Sequence, residues 1–209
     1  LWPEYFTKRM VTDAQRHPLI FNTLYQQNPA VSEHSWVPLD RIHLKKRSEV
    51  PEMLVKYIGI DIALHVGKGD FTVFAVIGVD ELKRFWILDV FRAQIDSGES
   101  PKKFLAMCEE HQPKYCWIDN DNTSIQWGNT VEMMARQQGV HVPLLISKMK
   151  NRDKEVRNAT LRWMFLNDRV AIVDEGWAIP LLREIAEFPD GRNDDMIDAI
   201  GVVAKELRK

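Results

Sequence analysis

The 209-residue chain holds only two cysteines, Cys108 and Cys116, and they form no Cys-x-x-Cys pair. That excludes a disulfide scaffold, and both thiols read as reduced and inert. The six histidines show no His-Glu-x-x-His or Cys/His spacing, which excludes the common zinc sites. Long apolar runs are also missing. None approaches the roughly 20 residues that a bilayer-spanning helix needs, and no membrane partner is expected. No signal-peptide pattern opens the chain. No Gly-x-x-x-x-Gly-Lys-[Ser/Thr] loop occurs, and Gly67-Lys68-Gly69 is too short to replace one, so hydrolysis of ATP by a phosphate loop is excluded. An excess of one charge is absent too: 28 Lys and Arg face 30 Asp and Glu, for a net charge of -2. General nucleic-acid binders are often basic overall, so any contact with phosphate has to come from a local patch.

What is present argues for a folded core. Apolar residues make up 45% of the chain and seven are Trp, enough for one sizeable domain or a domain with an appendage. Residues 1–52 read as an N-terminal arm, with four prolines before Pro51 and scattered aromatics. Thr12 to Tyr25 can hold a helix or two interrupted at Pro18, and Arg41 to Pro51 is charged and linker-like. The opening Leu1-Trp2-Pro3-Glu4, without an initiator Met, reads as the start of an excised fragment.

From Met53 the periodicity sharpens. Val55 to Val66 alternates, with Ile58, Ile60 and Ile62 on one face and Gly59, Asp61 and Ala63 on the other. A turn at Gly67–Asp70, a strand over Phe71–Val79, a turn at Asp80-Glu81 and a strand over Arg84–Phe91 predict an antiparallel meander. Beyond it, helices and strands alternate. Helices are predicted over Ser100–His111 with Ser100 as N-cap, Ile125–Gln138 ended by Gly139, Arg152–Leu166, Trp177–Phe188 and Asp194–Leu207. Strands are predicted over Tyr115–Asp119, Val140–Ile146 and Arg169–Val173. Such alternation implies crossovers and parallel pairing. The expected fold is α/β: a mixed sheet of about five or six strands, the meander first and parallel strands after it, flanked by helices.

Acidic residues fall at three stations of this pattern. Asp61 interrupts an apolar strand between the small residues Gly59 and Ala63; a buried carboxylate there must be neutralised, salt-bridged or metal-bound. Asp119 ends a strand and is followed by Asn120-Asp121-Asn122. The C-terminal end of a parallel strand is a common place for a site, although Asp/Asn clusters also make turns. Asp121 is the reserve ligand. Asp194, Asp195 and Asp198 open the last helix, where acids also compensate the helix dipole. Three such stations make a cage for hard cations such as Mg²⁺ or Mn²⁺, which take oxygen ligands, and paired ions of that kind cleave phosphodiesters. A basic run, Lys148, Lys150, Arg152, Lys154, Arg157 and Arg162, fits either a DNA backbone or a solvated helix face. Trp117, Trp127 and Trp163 read as core. Asp70, Asp80, Asp89 and Asp174 read as structural acids.

The order of these features, a strand Asp, a meander, a second strand-end acid, then Asn193-Asp194-Asp195-Met196-Ile197-Asp198-Ala199, resembles the nuclease domain of the large terminase subunit of tailed bacteriophages, a ribonuclease H-like fold. Phe21-Asn22-Thr23-Leu24-Tyr25-Gln26-Gln27-Asn28-Pro29 is similar to the family's stretch linking the packaging ATPase to the nuclease. Phe188-Pro189-Asp190-Gly191-Arg192-Asn193-Asp194-Asp195 is similar to its loop before the acidic helix. The resemblance implies that Asp61, Asp119 and Asp195 are catalytic metal ligands, that Asp194 shares the role, and that two ions bind. It also implies an arm (1–52) from a missing ATPase domain and a nuclease domain (53–209). The implied activity is cleavage of concatemeric double-stranded viral DNA in the host cytoplasm when packaging begins and ends. The implied partners are double-stranded DNA, the ATPase domain of the same parent chain, the portal and the small terminase subunit. Low sequence specificity is expected, since no reading helix or zinc finger is visible. Asn193 stands where many relatives have His, and Asp119 where some have Glu. The rival readings are a junction resolvase or integrase of similar fold, an actin-like kinase or ATPase, and a portal or capsid docking module without catalysis.

Overall fold

The computed structural model describes residues 36–63, 71–96, 98–147 and 154–208, apart from the side chains of Leu39 and Lys154. The expected helices over 12–25, the Phe21–Pro29 stretch, the turn at 67–70 and Lys148, Lys150 and Arg152 lie outside these residues. So does the side chain of Lys154.

Seven strands and five helices follow one another along the described residues. They are β1 (His43–Lys45), β2 (Val55–Asp61), β3 (Thr72–Val79), β4 (Phe85–Ala93), α1 (Glu99–His111), β5 (Tyr115–Ile118), α2 (Asn122–Gln138), β6 (Leu144–Ile146), α3 (Lys154–Leu166), β7 (Val170–Val173), α4 (Ala178–Glu187) and α5 (Asp195–Glu206). They form one sheet in the order β1-β7-β4-β3-β2-β5-β6. The meander β2-β3-β4 is antiparallel. The pairs β2 with β5, β5 with β6, β4 with β7 and β1 with β7 are parallel. The helices lie on both faces, as a sheet with apolar residues on each side requires.

The period-2 alternation of each strand divides the core in two. Ile58, Ile60, Phe74, Val76, Cys116 and Ile118 pack against α1 and α2 through Phe104, Leu105, Met107, Trp127 and Val131. Tyr57, Val73, Ala75, Ile77, Trp117 and Ile172 pack against α3, α4 and α5 through Leu161, Phe165, Leu181, Ile185, Ile200 and Val203. A register shift between Val76 and Ile77 lets Asp89 stand opposite Val76 while Ile87 stands opposite Ile77. Asp89 thereby faces α1, where His111 lies 3.3 Å away.

Four local expectations are corrected. The sheet has seven strands because the segment expected as a linker carries β1. Its Ile42 and Leu44 pack on the core while the chain pairs with β7, and Trp36 and Val37 ahead of it are buried. Ser100 does not cap α1. Asp96 accepts the amides of Gly98 and Glu99 at 2.7 and 2.9 Å, so the helix starts earlier and Ser100 is buried, its hydroxyl accepting the Trp127 indole N–H at 2.9 Å. β6 covers only Leu144–Ile146 rather than the whole run from Val140. Trp163 is not core: it is 54% exposed. Gly139 ends α2 as expected, with φ of 68°, a left-handed conformation that favours glycine.

Candidate functional site

Strand register brings the first two acidic stations together. Ile60 is paired with Ile118 in the parallel ladder between β2 and β5, so Asp61 and Asp119, the next residue on each chain, leave the sheet side by side. Both continue the side-chain row that runs through Gly59 and Trp117, the row facing α5.

The third station arrives because α5 crosses β2 at almost no distance. A Cβ placed on Gly59 would stand 1.8 Å from the Ala199 carbonyl oxygen. Only glycine lets the helix backbone rest on the strand, and this contact sets the helix N-terminus, with Asp194, Asp195 and Asp198, over the strand end that carries Asp61. Gly201 acts similarly two residues after Ala199: its missing side chain makes room for the Asn158 carboxamide, whose oxygen would lie 1.8 Å from a Cβ there.

Arg157 of α3 points into the middle of this group. It donates to Asp198 and approaches Asp119 and Asp194, each at 3.9 Å. Asn158 donates to the other Asp198 oxygen at 2.6 Å. Lys205 of α5 donates to Asp119 at 3.1 Å. Five carboxylates (Asp61, Asp119, Asp194, Asp195, Asp198) thus face two cations, Arg157 and Lys205. Two of these carboxyls, Asp61 and Asp198, are raised. Burial pushes the Asp61 carboxyl well above the ordinary carboxylate range; Asp198 and Asp195 add repulsion, Arg157 opposes it, and Asp119 adds more. Burial likewise raises Asp198, to about 6, against the pull of Arg157 and the Asn158 hydrogen bond.

Glu184 of α4 supports the cluster from outside. Its Oε2 accepts the amide N–H of Met196 at 2.9 Å and that of Ile197 at 3.4 Å. Asp194, at the N-cap position, makes no side-chain capping bond. Glu184 therefore caps α5 from another helix and fixes the turn that displays Asp195. Its second oxygen lies 3.4 Å from Arg92 of β4, whose guanidinium covers the Phe71 ring. Burial raises the Glu184 carboxyl to about 7, Arg92 and the Met196 amide acting in the opposite sense.

Of the residues singled out in the sequence, Asp61, Asp119, Asp194, Asp195 and Asp198 converge. Asp121 does not join them: it is the N-cap of α2, accepting the Ser124 amide at 3.0 Å and the Ser124 hydroxyl at 2.6 Å. Arg157, grouped in the sequence with the basic run, turns inward to the carboxylates. Asn158, Lys205, Glu184 and Arg92 escaped the sequence reading. A lysine in a last helical turn reads as dipole compensation, and Glu184 lies in a helix whose pattern otherwise only reports its apolar face. Among the described residues, no three His, Cys, Asp or Glu side chains are gathered tightly enough to hold an ion as they stand; Arg157 lies between the carboxylates instead. The donor set still fits a hard divalent cation. It is all oxygen, and its five carboxylates outnumber the two cations that face them.

A mixed sheet with an antiparallel meander, parallel outer strands and acids at the ends of β2 and β5 defines the ribonuclease H-like nuclease class. The family model described as the terminase RNaseH-like domain matches residues 58–204, and the chain belongs to that family. Its nuclease role in DNA packaging follows from that membership. Among solved structures, the chain is similar to the large terminase nuclease of thermophilic phage G20c with bound magnesium, at 15% identity and a TM-score of 0.59 over 84% of this chain and 98% of that one. It is similar to the P22 large terminase nuclease domain at 12% identity and a TM-score of 0.56, over 86% and 100% of the two chains. The large terminase of bacteriophage HK97 matches at 14% identity and a TM-score of 0.52, over 98% of this chain and 50% of its own. No curated protein sequence matches the chain. Among the described residues no helix is long and apolar enough to cross a membrane.

Proposed function

We propose that the chain is a metal-dependent endonuclease that cuts concatemeric double-stranded viral DNA when packaging starts and when it ends. The observation that carries this reading is the convergence of Asp61 and Asp119, adjacent through the β2–β5 register, with the N-terminus of α5. Asp61, Asp119 and Asp195 are the residues proposed to hold Mg²⁺ or Mn²⁺, with Asp194 sharing the role and Asp198 behind them. The magnesium in the G20c relative supports a divalent ion here. Two ions at such a cluster, when bound, supply Lewis-acid activation of water and charge stabilisation at the leaving 3′-oxygen.

The chain's own residues then position and neutralise. Asp61 and Asp119 are fixed to strand ends and bring little rotational freedom. Asp195 is held by the Glu184 cap on its helix. Arg157 and Lys205 offset part of the carboxylate charge while the cluster holds no metal. The basic run Lys148, Lys150, Arg152 and Lys154 is proposed to track the DNA backbone, which positions a duplex without reading its sequence. The remaining partners are proposed on family grounds: the ATPase domain of the same parent chain, joined through residues 1–52, the portal and the small terminase subunit, in the host cytoplasm.

Plasmid cleavage with Mg²⁺, Mn²⁺ or EDTA, for wild type beside Asp61→Ala, Asp119→Ala and Asp195→Ala, tests the reading. Metal-dependent nicking and linearisation that all three substitutions abolish, in proteins that still melt cooperatively, is the expected result. Cleavage that persists in EDTA, or in a folded variant carrying all three substitutions together, would overturn it.

A further inference from the structure

A second recess lies away from the acidic cluster. It is a cavity of about 660 Å³ lined by Tyr57, Val79, Phe85, Met164, Ala204 and Leu207 as an apolar floor, with Ala159, Thr160, Trp163, Lys83, Arg169 and Arg208 completing it. Tyr57 precedes Asp61 by four residues on β2, about 13 Å along a strand. Leu207 follows Asp195 by twelve residues along α5, about 18 Å. The recess therefore sits at the far end of β2 from Asp61 and of α5 from Asp195, while Lys205, beside the lining residue Ala204, turns the other way to Asp119.

Its chemistry is uneven in a useful way. The lining holds three cations and no carboxylate. Among the described residues neither Lys83 nor Arg208 is ion-paired. Arg169 donates to the Leu82 carbonyl at 3.2 Å and lies over the Trp163 ring at 5.9 Å. Trp163, half exposed, presents a large apolar ring edged by the Arg169 guanidinium. Tryptophan and arginine beside a desolvated pocket are the residues that most often carry binding energy at protein interfaces, and a volume of this size is typical of a binding site.

We infer that this cavity is a docking site for an acidic peptide segment of another polypeptide, one bulky apolar side chain filling the floor while flanking carboxylates meet Lys83, Arg169 and Arg208. The positive rim, with no acid among the lining residues, argues for an anionic partner. The floor argues for a peptide over a nucleotide. Its neutral polar side-chain groups are the hydroxyls of Tyr57 and Thr160 and the Trp163 indole, and a base edge pressed against Val79, Phe85, Met164 and Leu207 would lose hydrogen bonds to water without replacing them. A Phe or Leu side chain loses none.

The test uses the 209-residue protein and a fluorescein-labelled hexapeptide, Asp-Glu-Phe-Leu-Asp-Glu. Its comparators are Lys-Arg-Phe-Leu-Lys-Arg, Asp-Glu-Ser-Ser-Asp-Glu and a short oligothymidylate. The expected result is saturable binding of the first peptide only, with the Trp163 indole resonance shifting as it binds. Trp163→Ala and the exposed pair Lys83→Glu with Arg208→Glu are each expected to weaken it about tenfold or more, while plasmid cleavage stays at the wild-type rate. The double variant guards against a folding defect, since both of its residues are exposed. No saturable binding at millimolar peptide would overturn the inference. So would binding that survives both variants, or oligothymidylate moving the Trp163 resonance in place of the peptide.

Discussion

The Glu184 carboxylate accepts the amide of Met196 at 2.9 Å, so the helix that displays Asp195 is capped by a residue from a different helix. The same carboxylate faces Arg92 at 3.4 Å. Glu184→Ala removes the acceptor and leaves the part-buried Arg92 guanidinium without its carboxylate, which costs roughly 1–3 kcal/mol. Glu184→Gln keeps one oxygen to accept an amide and forfeits the charge. The expected outcome is a lower melting temperature and weaker Mn²⁺ binding by calorimetry for the Ala variant, with the Gln variant recovering part of the binding. A Gln variant no better than Ala in Mn²⁺ affinity, at equal stability, would count against the cap as the reason.

Gly59 sets how closely α5 approaches the sheet. Gly59→Ala places a methyl 1.8 Å from the Ala199 carbonyl oxygen and 2.9 Å from a Val203 methyl. The obstacle is helix backbone, which cannot rotate away, so the helix has to move. Overpacking of this kind costs typically 1–3 kcal/mol, occasionally more, and displaces Asp194 and Asp195 from Asp61. The expected result is a thermal melt lowered by several degrees, together with cleavage reduced more than the loss of folded protein explains.

The strands around the site were legible because Ile58, Ile60 and Ile62 alternate with Gly59 and Asp61, a pattern that names both the strand and the face carrying the acid. Adjacency of Asp61 and Asp119 was not legible from either segment alone, because it depends on which strand pairs with β2 and in what register. The acidic helix start was visible as Asp194-Asp195, yet its stabiliser was not, since Glu184 looks like any polar residue of an amphipathic helix until α4 is docked. β1 was missed for a similar reason: Ile42 and Leu44 are only two apolar positions among charged neighbours, and β7 supplies the pairing that makes a strand of them. Asp121 stood beside the right station and proved to be spent on the α2 amides. Trp163 was expected inside because tryptophan usually is, but its place on α3 faces away from both cores.

Asp80 offers a pH-dependent reading of stability away from the carboxylate cluster. It is buried, which pushes its carboxyl up, but the Arg84 amide at 2.9 Å, the Arg84 guanidinium at 2.7 Å and the Trp86 indole at 3.2 Å prevail and hold it below the ordinary carboxylate range. A carboxyl depressed by folding contributes stability that is present above its unfolded value and is lost as pH falls through the folded one. Asp80→Asn is therefore expected to melt lower than wild type at pH 7, by the equivalent of roughly 1–3 kcal/mol. The gap is expected to close as the pH is taken below the ordinary carboxylate range. Urea unfolding across that range checks it; a gap independent of pH would show that Asp80 acts by shape alone.

Lys205 gives a test of the carboxylate surplus that does not depend on cleavage. Its ammonium is almost wholly buried and donates to Asp119 at 3.1 Å, so it offsets one of five converging acids. Lys205→Met keeps most of the volume and removes the charge, leaving Asp119 with only the more distant Arg157 at 3.9 Å. Without metal the variant is expected to melt lower, since an under-compensated, largely enclosed carboxylate is costly. A divalent ion binding only the folded state stabilises it in proportion to the logarithm of its concentration over its dissociation constant. The site that has lost a cation has more to gain from another. Mn²⁺ should therefore raise the melting temperature of Lys205→Met by more than that of wild type, and bind it more tightly by calorimetry, while Ca²⁺-free buffer with EDTA restores the original gap. If Mn²⁺ shifts both proteins equally, Lys205 does not share charge with the ion site, and Asp119 is held for folding rather than for metal.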